Sequence, residues 1–152
     1  NVIRYFNLLH NGQVVGSMTA SRHHRQNADS DTVVLSRLCF SNDTNIRGGA
    51  NKLFEAFKEW AKEKGFYKII SWSDNSWTQG NIYKVCGFRM EREYPPDYFY
   101  WSIHERSYKS KQSQQKQKTG CPLDKTEREW CLERGLYRIW DCGKKLWVYD
   151  LV

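Results

Sequence analysis

Two apolar-rich blocks, IRYFNLL (3–9) and VVGSMTA (14–20), flank His10-Asn11-Gly12-Gln13. Asn-Gly tolerates positive φ at both central turn positions, so this pattern predicts two strands joined by a tight hairpin. SRHHRQNADSD (21–31) is polar and predicts a loop. His23 and His24 would point apart on an extended segment, which favours a solvated loop over a phosphate or metal pair. TVVLSRLCF (32–40) is almost continuously apolar and β-branched, as in a strand buried on both faces. From Ala50 the period becomes helical, with Leu53, Phe57, Trp60 and Ala61 on one face and Lys52, Glu55, Lys58, Glu59 and Lys62 elsewhere. Gly65 is placed to stop this helix, and Lys62 and Lys64 complement its dipole. YKIISWS (67–73) predicts a further strand, and Ile82, Tyr83 and Val85 a short helix ending at Gly87. FRMERE (88–93) and YFYWSI (98–103) predict two strands across a Pro95-Pro96 turn. A short helix beginning near Asp124 follows, and LYRIWDCGKKLWVYDLV predicts a closing hairpin around Cys142-Gly143-Lys144.

With 152 residues, 39% hydrophobic and 15% aromatic, the chain can form one compact domain and a small appendage. The expected division is a main domain over 1–103, a basic linker over 104–120 and a helix-plus-hairpin extension over 121–152. No apolar run of about 18 residues marks a membrane span, and the first residues lack a secretion signal. A start at Asn1 rather than Met is expected of a piece of a longer protein. The five cysteines are odd in number and have no CxxC or Cys/His spacing, so reduced, mostly buried thiols are expected, with no metal and in the cytoplasm. The net charge of +7 suits a polyanion such as DNA. Five of the basic residues, Arg106, Lys109, Lys111, Lys116 and Lys118, fall in one stretch without acidic residues, expected as a linker or a solvated helix.

A buried strand, a glycine turn and a helix N-terminus form an anion site, because free backbone NH groups and the helix dipole converge where no side chain intervenes. A tight turn with close helix packing explains the same glycines without a ligand. The spacing is neither GxGxxG nor GxxxxGK[ST]. Asn45-Ile46-Arg47-Gly48-Gly49-Ala50 resembles the acyl-CoA loop of the GNAT acetyltransferase superfamily, with Asn where that loop begins with Gln or Arg. Arg47 and Lys52 could add charge. NIYKVCGF (81–88) resembles the superfamily's helix tyrosine followed by Gly-Phe. The resemblance implies a central, mixed, splayed β-sheet flanked by helices (α/β, or α+β), and an acetyl-CoA or related acyl-CoA held by Cys39, Phe40, Asn45, Arg47, Gly48, Gly49, Ala50, Asn51 and Lys52. It also implies Tyr83 as the acid that protonates the departing thiolate. A packed helix aromatic is the alternative for Tyr83.

VLSRLCFSNDTNIRGGANKLF (34–54) and IISWSDNSWTQGNIYKVCGF (69–88) resemble the GNAT-like branch that contains the phage Mom DNA-modifying proteins, with relatives joined to homing-endonuclease parts. The matching positions are Arg37 with Phe40, the helix from Ala50, Ser71 with Asp74, Gly80 with Tyr83, and Gly87-Phe88. This resemblance implies acyl or carbamoylmethyl transfer to a nucleobase amine, an anti-restriction modification in the host cytoplasm.

Asp74, at a strand end, could take a proton from an attacking amine or cap the following turn. Arg37, in an apolar strand, must pair or face a ligand, and pairing with Asp74 would satisfy both. Ser73 is the weaker catalytic candidate and suits a turn hydroxyl. Among Trp72, Trp77, Trp101, Trp140 and Trp147, Trp77 in its polar loop is the candidate for stacking on a base, beside the basic stretch. The expected function is thus a phage-type transferase acting on DNA. The alternatives are a non-catalytic DNA-binding part of a homing endonuclease, or a protein or small-molecule N-acetyltransferase.

Overall fold

A computed structural model describes residues 1–23, 31–43 and 45–152; of the expected 21–31 loop, Ser21 and Arg22 belong to a strand, and 24–30, with His24 and Arg25, lie outside the described residues. The chain divides into two compact units, 1–94 with 144–152, and 95–143.

The first unit is built on a six-stranded sheet in the order β1-β2-β3-β4-β9-β5. The strands are β1 (Val2–His10), β2 (Gln13–Arg22), β3 (Thr32–Phe40), β4 (Lys68–Asp74), β5 (Arg89–Tyr94) and β9 (Lys144–Asp150). The Asn-Gly turn joins β1 to β2 with both central residues at positive φ, 49° and 76°. All neighbours are antiparallel except β3 and β4, which are parallel and linked by helix α1 (Gly49–Glu63).

α1 buries Leu53, Phe54, Phe57 and Ala61 against Met18, Val33, Leu35, Ile69, Phe88 and Trp147. Phe57 is fully buried, with its ring 5.1 Å from Phe6 and 5.9 Å from Trp60. Truncating such a residue to Ala costs about 3–5 kcal/mol. The helix stops at its Lys64 cap, one residue before Gly65.

The sheet opens between its two parallel strands. β3 and β4 pair only from Thr32↔Lys68 to Val34↔Ile70. Beyond that, β3 follows β2 and β4 follows β9. The cause is a bulge: Thr19 faces Arg37 and Ala20 faces Leu35, which leaves Ser36 as an extra residue on β3. A bulge bends its strand and increases its twist, here at the point where β3 leaves β4. Ser36 is pinned there, since its hydroxyl donates to the Thr19 carbonyl (3.2 Å) and accepts from Ser21 (2.8 Å).

The closing hairpin does not form. β8 (Leu136–Trp140) pairs with β6 (Tyr98–Ser102), whereas β9 lies between β4 and β5. The reason lies in the residues. Trp147 and Tyr149 pack on one face of β9 and Leu146 and Val148 on the other, as a central strand requires, while β8 alternates and exposes Tyr137 and Ile139. The two strands around Pro95-Pro96 likewise pair elsewhere, β5 with β9 and β6 with β7 (Ser107–Lys109) and β8. Tyr94 pairs with Lys144, so residues 95–143 are an insertion between neighbouring strands of the main sheet.

The second unit has the sheet order β7-β6-β8 and the short helices α3 (Lys116–Thr119) and α4 (Glu127–Glu133). Its core is Tyr100, Cys131 and Leu136. α4 starts with a capping box, in which Thr126 accepts from the Glu129 NH and the Glu129 carboxylate accepts from the Thr126 NH. The basic stretch falls in this unit as β7, a 3-10 turn (Lys111–Gln114) and α3. None of the five thiols is in a disulfide, but only Cys131 is buried, and Cys39 and Cys142 are exposed, against the expectation of mostly buried thiols.

Candidate active site

The glycine stretch closes off the start of α1. Gly48 is the N-cap, at φ 71° and ψ 2°, a left-handed conformation that glycine adopts without a Cβ penalty. A Cβ built there meets nothing within 4 Å, so the backbone is open to an approaching group. Gly49 serves packing instead, since a Cβ there would lie 3.0 Å from both Phe40 and Ile46. No side chain caps α1 and its first turn holds no acidic residue. The first intrahelical bond runs from the Lys52 NH to Gly48 O, which leaves the NH groups of Ala50 and Asn51 without helical acceptors.

In front of this uncapped terminus lies a cavity of about 360 Å³ lined by Phe40, Asn45, Ile46, Gly48, Gly49, Ala50, Asn51, Ile82 and Val85. Six residues expected to hold an acyl-CoA therefore come together, Phe40, Asn45, Gly48, Gly49, Ala50 and Asn51. Cys39, Arg47 and Lys52 do not line the cavity, and all three are exposed. Cys39 alternates with Phe40 along β3 and turns to the Ser17 carbonyl (3.8 Å). Ile46, Ile82 and Val85 are the lining residues that the glycine pattern did not indicate.

Ile82 and Val85 belong to α2 (Asn81–Val85), which also carries Tyr83 into the opening of the sheet. The Tyr83 hydroxyl lies 2.9 Å from Ser71 Oγ and donates to the Trp72 carbonyl at 3.2 Å. The Ser71 hydroxyl also reaches Leu35 O, 2.7 Å away on β3, and so links the phenol to that strand. Leu35 and Ser71 immediately follow the last β3–β4 pair, so the phenol sits where the strands diverge. Its ring stacks on Trp147 (5.3 Å, 11°) and meets Phe88 edge-on (5.5 Å). Burial pushes the phenol above its ordinary pKa, against a smaller opposing effect of the Ser71 hydrogen bond, and keeps it protonated at neutral pH.

Gly80 makes this arrangement possible. It caps α2 at φ 78°, and a Cβ on it would lie 2.2 Å from Trp147. The Trp147 indole donates to Ser73 Oγ at 2.8 Å, a buried bond that gives Ser73 a positioning duty and keeps it out of solvent.

The carboxylate of Asp74 caps the following turn, accepting from both the backbone NH (2.9 Å) and the hydroxyl of Ser76. The Ser76 side-chain bond, then its backbone bond, hold Asp74 below the usual carboxylate pKa, which weakens it as a base. Arg37 is exposed and, among the described residues, makes no ion pair with Asp74. The expected Arg37–Asp74 pair is thus corrected. Past the bulge β3 has left β4, so Arg37 sits in solvent rather than in a core that would require a partner.

Trp77 is 88% exposed, whereas Trp147 is buried beside Tyr83. Lys109 pairs with Glu105, and Lys111 with Asp97 at 2.8 Å. Arg106, Lys116 and Lys118 complete the basic set, and α3 carries the last two. Among the described residues, no group of three or more His, Cys, Asp or Glu stands ready for a metal, and no helix is long and apolar enough to cross a membrane.

Similarity to known proteins agrees with this geometry. No curated protein is similar to the chain in sequence. Among solved structures, the fold matches an N-acetyltransferase from Staphylococcus aureus Mu50 (TM-score 0.57, 15% identity, 97% of this chain and 67% of that one). It also matches the ribosomal-protein-S18-alanine N-acetyltransferase of Escherichia coli (TM-score 0.56, 10% identity, 99% and 69%). A third match is a GNAT family acetyltransferase from Elizabethkingia anophelis with acetyl-CoA bound (TM-score 0.54, 15% identity, 93% and 72%). The model of the Acetyltransferase (GNAT) family matches residues 2–88, more than half of the sequence, and the chain belongs to that family.

Proposed function

We propose that this protein is an N-acyltransferase that moves an acyl group, acetyl in the simplest case, from an acyl-CoA to an amine. The observation that carries the proposal is the Tyr83 hydroxyl, held at the divergence of β3 and β4 by a helix whose Ile82 and Val85 wall the cavity at the glycine loop. In this scheme the NH groups of Ala50 and Asn51, with the dipole of α1, receive the donor's pyrophosphate. Phe40 and Ile46 bound its apolar side. The edge of β3 from Ser36 to Phe40, unpaired on the β4 side, offers backbone donors and acceptors to the amides of the pantetheine arm. The donor supplies an activated thioester. The amine forms the new carbon–nitrogen bond, the carbon–sulfur bond breaks, and Tyr83 gives its proton to the departing sulfur. The proton shed by the nitrogen passes to water, from which the Tyr83 phenolate is reprotonated.

A protein N-terminus or a small-molecule amine is the acceptor class that the E. coli neighbour's name suggests. A nucleobase acceptor retains one supporting observation, the exposed Trp77, three residues beyond Asp74. The test is chromatographic detection of free CoA with an N-terminal peptide, a polyamine and a single-stranded oligonucleotide as acceptors. Thiol reagents are unsuitable because Cys39 and Cys142 would react with them. Tyr83→Phe should lower turnover about 10²–10⁴-fold. Unchanged turnover in that variant would remove Tyr83 from the chemistry.

A further inference from the structure

The inserted unit contains a second cavity, of about 280 Å³, lined by Tyr100, Arg128, Leu132, Leu136, Tyr137, Arg138 and Trp140. We propose that it binds a small aromatic carboxylate, with Arg128 and Arg138 receiving the anion and the aromatic wall receiving the ring.

The lining holds two guanidinium groups and no carboxylate. Arg138 is held in place before any ligand arrives. Its Nε donates to the Tyr100 hydroxyl at 3.2 Å, and its guanidinium lies 4.2 Å above the Tyr98 ring. Tyr100 in turn donates to Glu127 at 2.8 Å. The Glu127 carboxylate stands 3.8 Å from Arg138 Nη2 and also receives the Tyr98 hydroxyl at 3.5 Å, so it offsets only part of the local positive charge. Arg128, on α4, is exposed and makes no ion pair among the described residues. A guanidinium fixed in this way meets an anion with little further ordering of its side chain, and a second one adds charge.

The walls select the rest of the ligand. Leu132 and Leu136 supply apolar surface, and Trp140, 58% exposed and 5.0 Å from the Tyr98 ring in an edge-to-face contact, adds aromatic surface to the lining. The volume lies just below the roughly 300–1,000 Å³ of drug-sized sites, which suits a one- or two-ring acid. Proton release and redox change are not involved, only binding.

The test titrates the 152-residue protein with indole-3-acetate and its neutral isostere indole-3-acetamide, in the presence of saturating acetyl-CoA. It follows the Trp140 indole NH resonance, assigned by its loss in Trp140→Phe. Saturable binding is expected, with the acid at least 10-fold tighter than the amide. Arg128→Gln lies on an exposed position and keeps the fold, which far-UV circular dichroism verifies. It should weaken the acid at least fivefold and leave the affinity for acetyl-CoA unchanged. No saturation, equal binding of acid and amide, or an acid affinity untouched by Arg128→Gln would each overturn the proposal. None of these readouts depends on acyl transfer, so the proposal stands or falls separately from the catalytic one.

Discussion

Gly80→Ala tests how closely Trp147 is held against the α2 cap. Two costs add. An alanine at φ 78° pays about 1–2 kcal/mol for the left-handed conformation. Its Cβ would also stand 2.2 Å and 2.8 Å from two atoms of the Trp147 ring, inside any permitted contact. Trp147 cannot move aside without loosening its stack on Tyr83 and its bond to Ser73, so the overpacking adds about 1–3 kcal/mol. The sum is about 2–5 kcal/mol, and at about 2–4 °C per kcal/mol for a chain of this size Tm should fall by about 4–20 °C. Gly65→Ala is the control, with φ 79° and nothing within 4 Å of the new Cβ. It carries the conformational cost alone. Differential scanning calorimetry of both variants isolates the contact, and Gly80→Ala should lose about 1–3 kcal/mol more than Gly65→Ala. Equal losses would refute the close approach of Trp147 and, with it, the packing that positions Tyr83.

Ser73→Ala leaves the Trp147 indole NH without its buried acceptor and should cost about 1–3 kcal/mol in urea unfolding, with much less effect on kcat than Tyr83→Phe. Thr126→Ala removes the α4 capping box and should cost about 0.5–2 kcal/mol, read in the unfolding of the inserted unit. The pKa of Tyr83 is raised by burial, and that of Tyr100 is raised mainly by burial as well. An unfolded tyrosine titrates near 10, so their contribution is intact below about pH 10 and lost as pH rises further. Urea midpoints measured from pH 8 to 11 should fall on the alkaline side, less steeply in Tyr83→Phe.

Much of the glycine-loop geometry was legible because it is local. Glycines at 48 and 49 ahead of a helix-period run predict an open helix start, and the structure has one. Tyr83 was legible by its offset from Gly87-Phe88, but the link from its partner Ser71 to Leu35 O was not, since that contact depends on where β3 leaves β4. The cause of the divergence, the extra residue Ser36, is a register effect that periodicity does not record. Arg37 was misplaced for the same reason. The closing hairpin failed because KLWVYD, apolar on both faces, prefers the centre of the large sheet to a local turn with its neighbour. Sequence proximity favoured the hairpin and burial overrode it.

The acyl-CoA site is tested most directly by calorimetric titration of acetyl-CoA into the wild type and Asn51→Glu. Asn51 is exposed at the third position of α1, where an added carboxylate favours the helix dipole by about 0.3–1 kcal/mol and preserves the fold. The same carboxylate sits in the cavity wall facing the expected pyrophosphate. The wild type should bind saturably, and Asn51→Glu should bind at least 10-fold more weakly with an unchanged or higher Tm. Equal affinity in the two proteins would contradict a CoA site at the glycine loop.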